Sequence, residues 1–196
     1  MRCGIGKRLM VGLACLLMAS CASVSIPKRI AGATPQLQED VPHLHVPRAG
    51  LVTGGQPEAT AWRELRAAGV TRVINLRPAS ELGTRDEGAE VRANGIDYVE
   101  IDVAGPNDLT AGNARRLWQS LQGIAGTVLV HCASGNRAGA LLSLAAADVG
   151  GMSPEAALEF GHAAGLTKLE PVVRKRLGLP ALAGESSRCA GASANC

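Results

Sequence analysis

From about residue 50 to residue 178 short apolar runs alternate with stretches of helical periodicity. "GLVTGG" reads as a strand followed by a turn. "PEATAWRELRAAG" predicts a helix that starts at Pro57 and stops at Gly69, with Trp62 and Leu65 three apart on one face. "TRVINL" is a β-branched run of the kind that forms a buried strand. Residues 84–94 are charged and predict a surface helix, and "IDYVEIDV" alternates like a strand. From Thr110, "TAGNARRLWQSLQGI" places Leu117, Leu121 and Ile124 at helical spacing. "TVLVH" is a second β-branched run ending at Cys132, and "RAGALLSLAAADVGG" is a small, apolar helix to be buried. Ser153-Pro154 starts another helix, and Thr167 to Glu170 has the capping-box pattern for the last one. This alternation predicts an α/β domain with a largely parallel sheet. Trp62 and Trp118 are its expected core anchors.

The two ends of the chain break the pattern. "MRCGIGKRLMVGLACLLMASC" has a basic start (Arg2, Lys7, Arg8), an apolar stretch from Leu9 to Met18, and small residues before Cys21. That is the layout of a secretory signal, too short for a comfortable membrane span. "MASC" resembles a bacterial lipobox, which implies cleavage before Cys21, lipidation of that cysteine and a periplasmic, membrane-anchored lipoprotein; Ala22 fits sorting to the outer membrane. Residues 21–44 lack periodicity and read as a flexible tether, and residues 179–196 as a flexible tail. The expected division is therefore signal peptide 1–20, tether 21–44, domain 45–178 and tail 179–196.

Charge is reread once the signal is set aside. Three of the 20 Lys and Arg and none of the 17 Asp and Glu fall in residues 1–20, so the remainder carries 17 of each. A formally neutral domain has no basic field for nucleic acid. Of the six cysteines, Cys21, Cys132, Cys189 and Cys196 lie beyond the signal. Cys189 and Cys196 are either a small tail disulfide or two idle thiols, because connectivity cannot be read from sequence. His43 and His45 in "HLH" have no obvious third partner for a metal, so a strand or loop is the better reading there.

Cys132 stands where chemistry is expected. Ligands of parallel sheets bind at the carboxyl ends of strands, and Cys132 follows "TVLVH" with a helix just after it. Successive N–H groups of Ala133, Ser134, Gly135, Asn136 and Arg137 can curl around an anion, and the helix N-terminus adds its positive end. The same field favours the nucleophilic thiolate. Gly135 eases the turn, Arg137 offers a planar fork for two oxygens, and His131 can hydrogen-bond the loop or tune the thiol. A lone buried cysteine is ordinarily a small core hydrophobe; strand, His-Cys, Gly, Arg and helix in this order point instead to nucleophilic or anion-binding work.

"LVTGGQP", "VINLRPASE" and "VHCASGNRAG" together resemble the beta-lactamase-hydrolase-like protein phosphatases, a bacterial branch of the cysteine-dependent, dual-specificity-type tyrosine phosphatases. The resemblance spans about residues 50–178. It implies a three-layer cysteine-phosphatase-like fold with an anion-binding loop between strand and helix. It also implies hydrolysis of phosphate monoesters on a phosphorylated protein or small ester. Cys132 would attack phosphorus, Arg137 with the loop amides would bind the oxygens, water would release phosphate, and no metal or organic cofactor would be needed. The family's general acid is an Asp on the loop after the strand equivalent to "YVEIDV", which makes Asp108 in "AGPNDLT" the candidate and Asp102 a weaker one. Asp108 has a competing role as a cap for the helix starting near Thr110.

The chain departs from the family in two places. Four residues separate Cys132 from Arg137, where the phosphatase loop has five; rhodanese-type sulfurtransferases also have four. Ala138 stands where phosphatases often carry Ser or Thr. Two alternatives therefore stay open, a sulfurtransferase working through a Cys132 persulfide and a non-catalytic phosphate-binding lipoprotein. Gln56, Arg77 and Glu81 either line or brace the site, or form a turn or ion pair.

Overall fold

The computed structural model describes residues 35–182; the signal, Cys21, residues 22–34, Cys189 and Cys196 lie outside the described residues. Five strands form one sheet: β1 (His45–Arg48), β2 (Leu51–Gly54), β3 (Val70–Asn75), β4 (Asp97–Glu100) and β5 (Thr127–His131), in the order β1-β2-β5-β3-β4. β1 pairs antiparallel with β2, and the other pairings are parallel. The mostly parallel α/β sheet expected from the alternation is therefore present. Its central strand is β5, which runs straight into Cys132. Gly54 of β2 and Asn75 of β3 both stand beside His131, so three strand ends converge at the cysteine.

Strand alternation sorts the core into two layers. Val128 and Val130 of β5 point to one face with Leu51 and Ile74, where α4 (Ala111–Ser120), α5 (Asn136–Asp148), α6 (Pro154–Ala163) and α7 (Glu170–Leu177) pack. Leu129, Val52 and Val73 point to the other, with Trp62 and Leu65 of α2 (Ala61–Ala67) and Val91 of α3 (Glu87–Ala93). The small-residue helix is the buried one: residues 138–146 of α5 are all buried. Trp62 is fully buried as expected, whereas Trp118 is partly buried against the core.

Four local expectations change. Residues 35–44, read as part of the tether, contain α1 (Pro35–Asp40), and Val41 behind it is fully buried. The helix expected from Pro57 begins at Ala61, because residues 55–58 are spent on other pairings: Gly55 N donates to Pro42 O, Gln56 N to Ala133 O and Glu58 N to Asp40 O. The charged segment 84–94 does contain a helix, but Glu87, Gly88 and Val91 on it are buried. Thr167 does not cap the last helix, whose N-cap is Leu169; its N–H and hydroxyl instead donate to Asn136 Oδ1 at 2.9 and 3.2 Å. No helix among the described residues is long and apolar enough to cross a membrane.

Candidate active site

The Cys132 loop is clamped by the turn that follows β2. Cys132 N donates to Gly54 O at 3.3 Å, Gln56 N donates to Ala133 O at 3.3 Å, and Gly55 forms a bridge with Ser134. A Cβ on Gly55 would lie 2.9 Å from Ala133 O and 3.1 Å from Pro42 O, so the "GG" of "LVTGGQP" is what lets the two turns touch. Gly135 has φ +84°, the left-handed conformation that L side chains resist, and α5 starts at the next residue. The first N–H groups of α5 have no intrahelical partner. The loop is thus built as expected from Ala133, Ser134 and Gly135, and Cys132 sits at its base, nearly buried. Asn136 is the first residue of α5, and its side-chain Oδ1 accepts from Thr167 and from Leu169 N, which ties the loop to the segment before α7.

Arg137 is held in a defined orientation. Its Nη1 donates to Glu81 Oε1 at 2.8 Å and to Val103 O at 2.6 Å, and its Nη2 donates to Glu81 Oε2 at 2.7 Å. These contacts use the end of the fork. A guanidinium has five N–H donors, so Nε–H and the second Nη2–H remain on its side face, enough for two oxygens of a tetrahedral anion. The hydrogen bond to Glu81 raises the already high pKa of Arg137, burial opposes this, and attraction to nearby Cys132 adds to it. Glu81 in turn lies below the usual carboxylate range, chiefly through its hydrogen bond from Arg137 and against the effect of burial.

Gln56, Arg77 and Glu81 brace the site as one chain of contacts. Arg77 Nε reaches Glu81 Oε2 at 3.3 Å, its terminal nitrogens bond Gln56 Oε1 and Glu81 O, and its N–H donates to Asn75 Oδ1 at 2.8 Å. Gln56 Nε2 donates to Glu87 Oε2. Glu87 Oε1 accepts from His131 Nε2 at 2.9 Å and from the Tyr98 hydroxyl at 3.1 Å. The path from Arg137 to His131 is therefore continuous. Nothing in the sequence marks Glu87 and Tyr98 as partners in this chain of contacts. A charged residue in a charged stretch reads as solvated, and only the partners that converge from β5, β4 and the turn after β2 show why Glu87 can be buried.

His131 accordingly faces away from the thiol side of the sheet, its ring 6.4 Å from that of Trp62, with Nδ1 buried and unpartnered. Burial raises the Glu87 carboxyl, but the His131 hydrogen bond and charge, then Gln56 and Tyr98, outweigh it and leave its pKa below the usual value. A depressed carboxylate stabilises the fold above its unfolded value of about 4.3, and that stabilisation is lost as pH falls through the folded value. Glu87→Gln is expected to cost about 1–3 kcal/mol at pH 7. It should also flatten the decline in the urea midpoint below about pH 4.3; parallel curves for the two proteins would contradict this.

Asp108 lies on the loop after β4, as expected, but it does not cap α4. Thr110 does, accepting from Asn113 N at 3.1 Å. Asp108 Oδ2 accepts from Ala104 N at 2.9 Å and Gly105 N at 3.2 Å, closing the short turn Pro106–Asp108 on itself. Asp102 is exposed. Among the described residues no group of three or more His, Cys, Asp or Glu could hold a metal ion.

No protein-family model matches the chain. Two curated proteins from strains of Xylella fastidiosa, both named beta-lactamase hydrolase-like protein, are 32% identical over 119 residues, which is 59% of this chain and 27% of each relative. The aligned part thus spans about a quarter of those relatives' length. A Shewanella putrefaciens protein of the DUF442 group, described as a proposed phosphatase, superposes with TM-score 0.58 at 26% identity over 72% of this chain and 93% of its own. A Neisseria meningitidis protein, also proposed as a phosphatase, shares the fold with TM-score 0.57 at 20% identity over 68% of this chain and 94% of its own. The relatives and the sheet agree with what the three motifs suggest: the domain has the cysteine-phosphatase-like fold and resembles the beta-lactamase hydrolase-like proteins.

Proposed function

We propose that the domain is a cysteine-dependent phosphatase that hydrolyses phosphate monoesters through a cysteinyl-phosphate. The observation that carries this reading is Arg137, fixed beside Cys132 by Glu81 and Val103 O, with two N–H groups beyond those that Glu81 and Val103 O take. The Cys132 thiolate attacks phosphorus in line; an S–P bond forms as the P–O bond to the leaving group breaks. The equatorial oxygens lie against the loop N–H groups and the Nε–H and Nη2–H of Arg137, where positive charge is preorganised for them. Water then attacks phosphorus, releasing inorganic phosphate and restoring the thiolate. The test is to mix the reduced protein with p-nitrophenyl phosphate, follow turnover, and quench in alkaline denaturant to find phosphate on Cys132. The four-residue loop favours one rival, sulfur transfer. Cyanide-dependent thiocyanate formation from thiosulfate, with no phosphate release, would replace the proposal with that one.

Asp108 is the proposed acid for the leaving group. Its Oδ2 is occupied by two N–H groups, which leaves Oδ1 to carry the proton. Asn keeps an acceptor for the turn and removes the acid. Asp108→Asn is therefore expected to lower turnover of alkyl phosphates by about 10²-fold or more and to spare p-nitrophenyl phosphate, whose leaving group needs little help. An equal loss on both substrates would assign Asp108 to the turn alone. A phosphorylated protein and a small phosphate ester both remain within this reading. The lipobox-like "MASC" supports a periplasmic, lipid-anchored location. On that proposal Cys21→Ser moves the protein out of the membrane fraction, and an unchanged distribution overturns it.

A further inference from the structure

A cleft of about 280 Å³ opens beside the anion loop. Ser134 and Asn136 of the loop form one wall, and His43, His45, Gly165 and Lys168 complete it. No carboxylate and no large aliphatic or aromatic hydrocarbon side chain lines it. The ion pairs of the described residues do not involve His43, His45 or Lys168.

The cleft is shaped by several contacts. A Cβ on Gly165 would fall 3.1 Å from His45 Cδ2, 3.2 Å from its Nε2 and 3.6 Å from Gly135 O. The His45 ring therefore lies on the bare Cα of Gly165, next to the anion loop. Gly165 itself has φ +93°, so both space and backbone call for glycine there. Lys168 is placed by its neighbours, since Thr167 N and Leu169 N both donate to Asn136 Oδ1. His43 is the one positive-φ non-glycine among the described residues, at +53°. Such a conformation is uncommon and persists where surrounding structure enforces it; here the adjoining Pro42 O accepts from Gly55 N of the turn that clamps the Cys132 loop.

From this we infer that the cleft is a subsite for a second anionic group of the substrate, so that the preferred ester carries a phosphate or carboxylate close to the scissile phosphate. The inference rests on the phosphatase reading of Cys132 and names its substrate class. The volume admits a small anionic group, and the lining selects for one: it offers a cation and polar donors, with no aliphatic wall for an apolar group. Lys168 supplies charge; His43 and His45 supply N–H donors.

The test compares phenyl phosphate with 3-carboxyphenyl phosphate, whose leaving groups are of nearly equal basicity. The wild-type protein is expected to favour the carboxylated ester by about fivefold in kcat/KM, expressed in KM, a size appropriate to a partly exposed ion pair. Lys168→Gln removes the preference, Lys168→Glu reverses it, and Lys168→Arg retains it; turnover of phenyl phosphate stays unchanged in all three. Lys168 is exposed, so these variants fold. The same two esters are also titrated calorimetrically into Cys132→Ser, which reads the subsite without turnover. A wild-type protein that turns over phenyl phosphate but treats both esters alike overturns the subsite and leaves the phosphatase reading standing. Failure to hydrolyse either ester, with preferential binding of the carboxylated one, overturns the activity and leaves the subsite. Equal binding, or none, overturns the subsite in every case.

Discussion

Cys132→Ser is expected to reduce aryl-phosphate turnover by about 10⁴-fold or more and to abolish the acid-labile, alkali-stable phosphate trapped on the protein. The size follows from how the loop is built. Gly54 O, Ala133 O and the bridge at Ser134 hold the backbone around the cysteine independently of its sulfur. Arg137 is fixed by Glu81 and Val103 O, again without the sulfur. The serine variant therefore keeps the anion cradle and loses the nucleophile, because a serine hydroxyl needs a general base to attack. His131 cannot act as one, since its Nε2 is committed to Glu87 and its ring lies against Trp62. Inorganic phosphate should bind the variant about as well as the wild type. Substantial residual turnover would mean that Cys132 is not the nucleophile; loss of phosphate binding would mean that the sulfur is part of the cradle.

Gly139→Ala is expected to be the most destabilising small substitution in the domain, by about 2–4 kcal/mol in chemical denaturation. On helix propensity alone it should stabilise, because Ala is favoured over Gly by about 1 kcal/mol inside a helix. Space decides the sign. The new Cβ would lie 2.2 Å from Leu166 N, 2.8 Å from Leu166 Cα and 2.8 Å from Gly161 O, all backbone atoms that cannot rotate away. α5 and the turn after α6 touch backbone to backbone at this point. Displacing α5 also shifts its N-terminus, where the anion loop ends, so activity should fall with stability. Gly112→Ala is the matched comparison: its Cβ would meet nothing closer than Thr110 Oγ1 at 3.7 Å on the exposed first turn of α4. That variant should be neutral or slightly stabilising. Similar losses in both would show that the effect is not steric.

Much of this protein was legible along the chain because local chemistry and tertiary structure agree there. β3 and β5 are β-branched runs because a central parallel strand is buried on both faces, and such runs are conspicuous. α5 is small and apolar because it packs between the sheet and three other helices, so its composition announces its burial. The anion loop is contiguous in sequence: cysteine, glycine at positive φ, arginine and helix start lie within six residues, so their spacing alone carries the geometry. Ser153 starts the helix that follows it, capping it by accepting from Ala156 N.

The remainder depended on groups that meet only in three dimensions. Pro57 carries a sound helix-start signal, but residues 55–58 pair with the Cys132 loop and with residues 40–42, and those pairings outweigh it. Thr167 fits a capping box, yet Asn136 Oδ1, 31 residues away, takes both of its donors. Glu87 looks solvated on a charged helix and is instead the buried centre joining Gln56, Tyr98 and His131. The sequence by itself determined four of the five strands, the order of the chemistry around Cys132 and the fold class, because each rests on neighbours in the chain. Tertiary structure alone decided which way Arg137, Asn136 and His131 point, because a polar side chain takes the orientation in which distant strands and turns satisfy its hydrogen bonds.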